Sequence, residues 1–298
     1  MFMLFFNVNS FILTLGVHSV LQKMEMRLQH IEPHPQLIGY VSKIWVFESS
    51  GRVPSDDMKL IVPNGMVKIT IPFRNGVSGK NKEGYHLSKE SQITLIGISD
   101  TSAVVDIEHD APSGNIGIEF SALGAYRIFQ LRHSELKNKI MLLEEVFGKP
   151  ARQVQEIIAN IESIPGKIQA IQKYLIKLLI KSEPDQILDY CVRQIKNSRG
   201  LVTVGELESK TGYSSRWLHE KFIDRVGVST KNYSSIVRFM QFYEHFAKSP
   251  DYNFLKDNMY SYFYDQAHFI KEFKRFTGLS PLRFSKSENE FGSIFYKE

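Results

Sequence analysis

Apolar positions change their spacing near residue 120. Before it, short apolar and β-branched runs read as strands. They are the aromatic-rich run IGYVSKIWVFESS, Leu60–Val62, Met66–Phe73, and the segments QITLIGIS, AVVDIEHD and NIGIEF. Asp, Pro, Gly and Ser separate them. Pro63, Asn64 and Gly65 form a turn between two runs, since Asn and Gly tolerate positive φ. About six short strands between Leu37 and Phe120 predict a curled sheet or barrel-like sandwich.

From Ser121 the spacing turns helical. AYRIFQL, SELKNKIMLLEEVFG and ARQVQEIIANIESI repeat apolar residues at three and four positions. Gly148-Lys149-Pro150 and Pro165-Gly166 divide these helices. Lys167–Ser182 carries a stripe of Ile168, Ile171, Leu175, Leu178 and Leu179 with lysines opposite. Such a stripe suits a helix packed on its own domain; a dimerisation helix is the alternative. Glu183-Pro184-Asp185 then breaks the chain and opens a helical region reaching about Lys286.

The pattern predicts an α+β chain: a β-rich N-terminal domain with following helices, then an all-α domain. The expected divisions are 1–26 as a non-native or disordered extension, 27–147 β-rich, 148–183 helical linker, 184–286 all-α, and 287–298 tail. Met1–Leu21 is apolar and lacks the positive start of a signal peptide. Asn7, Asn9, Ser10 and His18 interrupt it, and it is short for a membrane span. The expected translation start is Met24 or Met26, with an uncleaved anchor or a poor signal peptide as alternatives.

Composition narrows the class. Apolar residues are 43%, aromatic 12% and charged 23% of 298 residues, which excludes collagen-like, coiled-coil and wholly disordered chains. The single cysteine, Cys191, excludes an intramolecular disulfide and a cysteine-based zinc site. It fits a reducing compartment, so a cytoplasmic location is expected. Pro184–Lys286 holds sixteen Lys and Arg against eleven Asp and Glu, which matches the whole net charge of +5. A positive excess placed there suits a nucleic-acid contact.

Candidate chemistry lies in the same region. In Thr203–Val226, Thr203 and Glu206 form a capping box, Gly212 ends the first helix, and Ser214 or Ser215 caps the next. That is a helix-turn-helix layout. Leu218 and Phe222 would face the core. Arg216, His219, Glu220 and Ile223 share another face, where Arg216 suits a guanine edge and His219 a base or phosphate. Asp265–Phe276 repeats the construction: Asp265 as cap, Phe269, Phe273 and Phe276 inward, and Lys271, Lys274 and Arg275 outward. The Gly-apolar-Ser phrase of Gly227–Ser229 recurs at Gly278–Ser280, so the region is a repeat of roughly fifty residues. Tyr233–Lys248 reads as the long helix between the copies.

The segment from about Pro184 to Lys286 resembles the DNA-binding domain of AraC/XylS-type transcriptional regulators. YDQAHFIKEFKRFTGLSP matches the end of that family's signature, and GYSSRWLHEKF with the later VRF its first half. The resemblance implies two units on one rigid linker helix, entering successive major grooves of promoter DNA. It puts Ser215, Arg216, His219, Glu220 and Lys221 on the first reading helix. Gln266, Ala267, His268, Lys271, Lys274 and Arg275 fall on the second, and Arg238 is a structural arginine of the linker helix. It also implies RNA polymerase as a partner if the regulator is an activator, and a bacterial source. Asp257, Asn258 and Tyr262 stand where the family has an Ile-Ala pair and a turn glycine, and Glu208 where alanine is typical. These departures motivate the alternative of a degenerate regulator, a ligand- or protein-binding module without specific DNA binding. Residues 30–147 resemble more loosely the sensor-like domain found ahead of this DNA-binding domain in some bacterial regulators.

No cofactor or bound metal is expected, and catalysis enters only as a rival reading, a small-molecule enzyme site in the β-rich half around Glu108 and His109. Phosphate-loop, dinucleotide and nucleophile-elbow motifs are absent. Glu108-His109-Asp110 is the best acid–histidine cluster and reads as a polar strand end. His30 and His34 are separated by Pro33, and His86 and His133 read as isolated surface or hydrogen-bonded residues. Tyr40, Trp45 and Phe47 could line a pocket for an unknown small-molecule effector if the sheet curls. The partners expected are therefore double-stranded DNA, an effector and, through the Lys167–Ser182 stripe, a second copy; no membrane is expected.

Overall fold

The computed structural model describes residues 25–107, 111–179, 185–248 and 262–297. Glu108-His109-Asp110, Pro184, Asp257 and Asn258 lie outside the described residues, as do residues 1–24.

Among the described residues ten strands form two antiparallel sheets. The strands are β1 (Met26–Ile31), β2 (Val41–Ser49), β3 (Leu60–Ile61), β4 (Lys68–Arg74), β5 (Val77–Asn81), β6 (Gly84–Ser88), β7 (Thr94–Ile96), β8 (Ala103–Ile107), β9 (Ser113–Phe120) and β10 (Ile140–Leu142). One sheet has the order β1-β2-β9-β4-β7-β10, the other β3-β8-β5-β6. They face each other across a cavity of about 150 Å³, so the expected curled sandwich forms.

Sequence spacing missed four strands. β1 begins at Met26, which pairs with Ser49, so the expected boundary after residue 26 falls inside a paired strand. Its residues are at best half-buried and show no apolar run. β5 and β6 form a polar hairpin whose pattern is equally weak. β10 falls where one helix from Ser134 to Gly148 was expected. Asn138 there takes φ of 59° and is 3% exposed, and its Oδ1 accepts from Ser99 Oγ and Asp100 N. That fixed bend diverts the chain into β10; a 3-10 turn at His133–Glu135 precedes it, and only Leu143–Phe147 is α-helical, as α2.

The other helices follow the spacing, except the last, which falls in the expected tail. They are α1 (Gly124–Phe129), α3 (Lys149–Ala159), α4 (Ile164–Leu178), α5 (Gln186–Asn197), α6 (Val204–Thr211), α7 (Ser215–Arg225), α8 (Thr230–Lys248), α9 (Gln266–Thr277), α10 (Pro281–Ser285) and α11 (Glu290–Ile294). In α4 the stripe residues Ile168, Ile171 and Leu175 are buried in this chain's own core, as the first of its two readings has it. Lys167 does not stay with the outward lysines; it is buried and donates from Nζ to Ile158 O at 2.7 Å.

One apolar cluster runs through both halves, from Leu37 and Ile44 to Phe276 and Tyr296. Fully burying a Phe such as Phe222 or Phe273 is worth about 1.5–3 kcal/mol. Polar ties cross the same seam. Arg132 Nε lies 3.1 Å from Asp224 Oδ1, and Asn232 Nδ2 donates to Asp100 Oδ2 at 3.2 Å. Residues 287–297, expected only as a tail, return to the sheets as α11. Asn289 clasps Leu60 with both amide groups, accepting from its N–H at 2.7 Å and donating to its carbonyl at 2.9 Å. Tyr296 Oη donates to Val62 O at 2.8 Å. Gly292 sits so close that a Cβ would overlap the Leu60 carbonyl oxygen.

Candidate nucleic-acid interface

The first unit is α6 and α7. Thr203 Oγ1 accepts from Glu206 N at 3.2 Å while Glu206 accepts from Thr203 N at 2.8 Å, which completes the capping box. This places the exposed Glu206 carboxylate as an acceptor and holds its pKa below the usual value. Gly212 ends α6 in the left-handed region at φ of 75°, which turns the chain into α7. Ser214 is the N-cap and accepts from Trp217 N at 3.3 Å. Leu218 and Phe222 are fully buried, which fixes the opposite face outward.

On that face Ser215, Arg216, His219 and Glu220 are exposed. The Arg216 side chain is 88% exposed, and its Nε lies 3.0 Å from Glu220 Oε1. An exposed pair four residues apart on a helix is worth only about 0.3–0.5 kcal/mol, so it holds Arg216 loosely. Lys221 turns aside and lies over the Trp217 ring, 5.7 Å from its centroid. Trp217 in turn packs on Tyr213 at 4.2 Å. Ser215, Arg216 and His219 line a shallow recess with Lys231 at the start of α8. Sequence reasoning missed Lys231 because it belongs to the next helix; an exposed Lys one residue into a helix was its only signal.

The second helix of this construction is α9. Asp265 caps it, accepting from His268 N at 2.7 Å. Phe269, Phe273 and Phe276 are buried, and Gln266, Ala267, Lys271 and Lys274 are exposed. Tyr264, just before the cap, is 92% exposed and was also missed. His268 is half-buried beside the Phe263 ring. Arg275 is held from several sides: it bonds Asn232 Oδ1, and it pairs with Asp100 at 3.8 Å and with Glu272 at 3.4 Å. Glu208 is half-buried on α6. Tyr262, at the family's glycine position, lays its ring against Phe242.

Helix α8 joins the units. Arg238 on it donates to Gly200 O at 3.3 Å and reaches Glu272 of α9 at 3.4 Å, with its guanidinium over the Phe263 ring. The arginine that the family pattern marks as structural thus ties α8 to α9 and to the chain just after α5.

Of the expected pocket residues, Trp45 and Phe47 line the cavity between the sheets, and Tyr40 does not. Tyr40 precedes β2 and packs on the main core, whereas Trp45 and Phe47 are two apart on one strand face. His86, expected to be isolated, lines the same cavity, and burial pushes its pKa down. His133 is fully buried, and burial brings its pKa down to about 4. No group of three or more His, Cys, Asp or Glu suited to a metal occurs among the described residues. No helix among them is long and apolar enough to cross a membrane.

A family model described as a domain of unknown function, DUF6597, matches residues 29–141. No curated protein sequence matches the chain. Among solved structures, ToxT from Vibrio cholerae is 12% identical with a TM-score of 0.44, covering 88% of this chain and 98% of ToxT. The AraC-like transcriptional activator CuxR is 14% identical with a TM-score of 0.30, covering 74% and 82%. A cupin domain from an XRE-family transcriptional regulator of Enterobacter cloacae is 9% identical with a TM-score of 0.26, covering 32% and 96%.

Proposed function

We propose that the chain is a sequence-specific, DNA-binding transcriptional regulator of the AraC type that performs no catalysis. One observation carries the reading. Two helices of the same construction, α7 and α9, each bury an apolar face (Leu218 and Phe222; Phe269, Phe273 and Phe276) and turn polar and cationic side chains outward, and Arg238 ties α8 to α9. Lysines such as Lys231, Lys271 and Lys274 supply salt-dependent attraction to phosphate, while Arg216, His219 and Gln266 meet base edges. The β-rich half senses a small effector or mediates association with a second copy. RNA polymerase is a further partner if the protein activates transcription, which places it in the cytoplasm.

The test is a titration of labelled duplex DNA with the full chain and with Lys271→Ala and Lys274→Ala variants. Uniform weakening across sequences and a shallower salt dependence are expected of phosphate contacts. Unchanged binding by a combined Lys231, Lys271 and Lys274 alanine variant would contradict the reading. It would favour the degenerate module, for which the pairing of Arg216 with Glu220 is the one supporting observation.

A further inference from the structure

We propose that the cavity between the two sheets binds a small uncharged molecule carrying both a hydrogen-bond acceptor and a donor, and that the chain's own C-terminal helix is one wall of that site. This deepens the sensing role given above to the β-rich half and rests on it for its regulatory meaning.

The lining sets the chemistry. It is mainly apolar, with Ile61, Val77, Ile96, Val105 and Ile107 from both sheets. Two buried polar atoms on it have no hydrogen-bond partner among the described residues: Trp45 Nε1 and Asn115 Oδ1, each on a side chain 7% exposed. An indole N–H only donates and an amide oxygen only accepts, so an occupant must offer one of each. His86 Nε2 is a third such atom, and burial disfavours the charged form of that ring.

The charged groups of the lining are already paired or lie at its edge. Lys68 is ion-paired with Glu119 at 3.0 Å, and Asp106 with Lys59 at 3.0 Å. Lys139 is exposed at the edge. An ionised occupant would lack a partner inside, which is costly in apolar surroundings. A volume of about 150 Å³ matches an engineered cavity that takes benzene, so one ring with a polar substituent fits.

The wall is what sets this cavity apart. Phe295 meets Trp45 edge-on at 5.0 Å, and Phe291 meets Phe47 at 5.3 Å. Both rings line the cavity, and both belong to the segment that follows α9 and α10. They stand there only while the segment is seated by Asn289, Gly292 and Tyr296, and by the Phe291 N–H on Asp57 Oδ2 at 3.0 Å. Occupancy and seating are therefore linked: a ligand that touches these rings holds the chain end down, and the seated end tightens the ligand by the same factor. The end is covalently continuous with the second reading helix, which brings cavity occupancy to the DNA-reading side.

The test uses the full chain with Trp217→Phe, leaving Trp45 as the sole tryptophan reporter. Benzamide, benzoate and toluene are titrated as probes, and hydrogen exchange is followed with benzamide. Saturable change in Trp45 emission with benzamide, at least tenfold tighter than with benzoate or toluene, is expected. Slowed exchange across residues 290–297 is expected too, and at least tenfold weaker binding in a Phe291→Ala, Phe295→Ala variant. Phe295→Leu serves if that variant does not fold, with a smaller loss in the same direction. Equal binding of benzoate would overturn the uncharged class. Protection confined to the strands, or unchanged affinity in the variants, would overturn the wall. No binding of any probe would overturn the site. No arm contains DNA, so these failures leave the DNA-binding reading standing.

Discussion

Arg238 on the long helix α8 and Glu272 on α9 lie 3.4 Å apart, with side chains only 15% and 10% exposed. The pair adds a polar tie to the aromatic packing of Phe239 and Phe242 against α9. Arg238→Ala leaves Glu272 buried with Arg275 as its one remaining cation. We expect a loss of about 3 kcal/mol, the low end for breaking a buried pair, because Arg275 stays. Urea denaturation of both single variants and the Arg238→Met, Glu272→Leu double variant checks this. The double variant should lose less than the two singles added together.

Arg216 is exposed and loosely paired with Glu220, so it is free to leave that partner for DNA. Arg216→Ala should weaken binding to a selected site by about 1–3 kcal/mol and random DNA far less, as loss of a bidentate base contact does. Equal losses on both would make it a phosphate contact. Glu220→Ala should strengthen binding to random DNA, because it removes a negative charge from the reading face. Titrations at two salt concentrations separate these outcomes.

Asp100 gathers Lys82, Lys137, Arg275 and Asn232. Burial alone would raise its pKa. Hydrogen bonds from Lys137 and Asn138, with the charges of Lys137 and Lys82, bring it down to about 2. Through Arg275 it also restrains a cation of α9. Asp100→Asn should therefore loosen Arg275, which Asn232 and Glu272 still hold, and modestly raise affinity for random duplex. Combining it with Arg275→Ala should abolish the gain, measured by fluorescence anisotropy.

Acid acts on the seam between the halves through His133. Burial brings its imidazole down to about 4, below the ordinary 6.5, and Gly227 packs closely on its backbone and Cβ. The unfolded chain thus takes up a proton first as pH falls. Stability should be full above about pH 6.5 and drop between there and pH 4, by of order 3 kcal/mol in total. Asp100 adds a loss of the same sign at lower pH, as the solution falls below 4 toward 2. Denaturation midpoints at pH 7.5, 6 and 5 should fall in the parent and stay flatter in His133→Phe. Parallel curves would contradict the assignment.

Local construction was legible where short-range chemistry decides it. The Thr203–Glu206 box, the left-handed Gly212, the Asp265 cap and the inward Phe222 and Phe273 all follow from residue types at fixed spacings. β10 was not legible, because what interrupts the expected helix is Asn138 bonding back to Ser99 and Asp100, some forty residues earlier. The polar hairpin β5–β6 shows no apolar period, since its register is set by pairing with β8. The return of Phe291 and Phe295 to Trp45 and Phe47 joins positions more than two hundred residues apart. A short aromatic run near the chain end, FGSIFY, was its only trace. Arg275 read as an outward cation from its helix position, and only the fold shows Asp100 and Asn232 reaching it.

The central claim is that α7 and α9 read DNA together. Random-site selection with the full chain, followed by a salt titration on the enriched sequence, tests it most directly. The account predicts one long site with two conserved parts about one helical turn apart, as two units in successive major grooves require. It also predicts a log affinity that falls steeply with log salt. Absence of any enriched sequence, from protein shown to be folded, would contradict it.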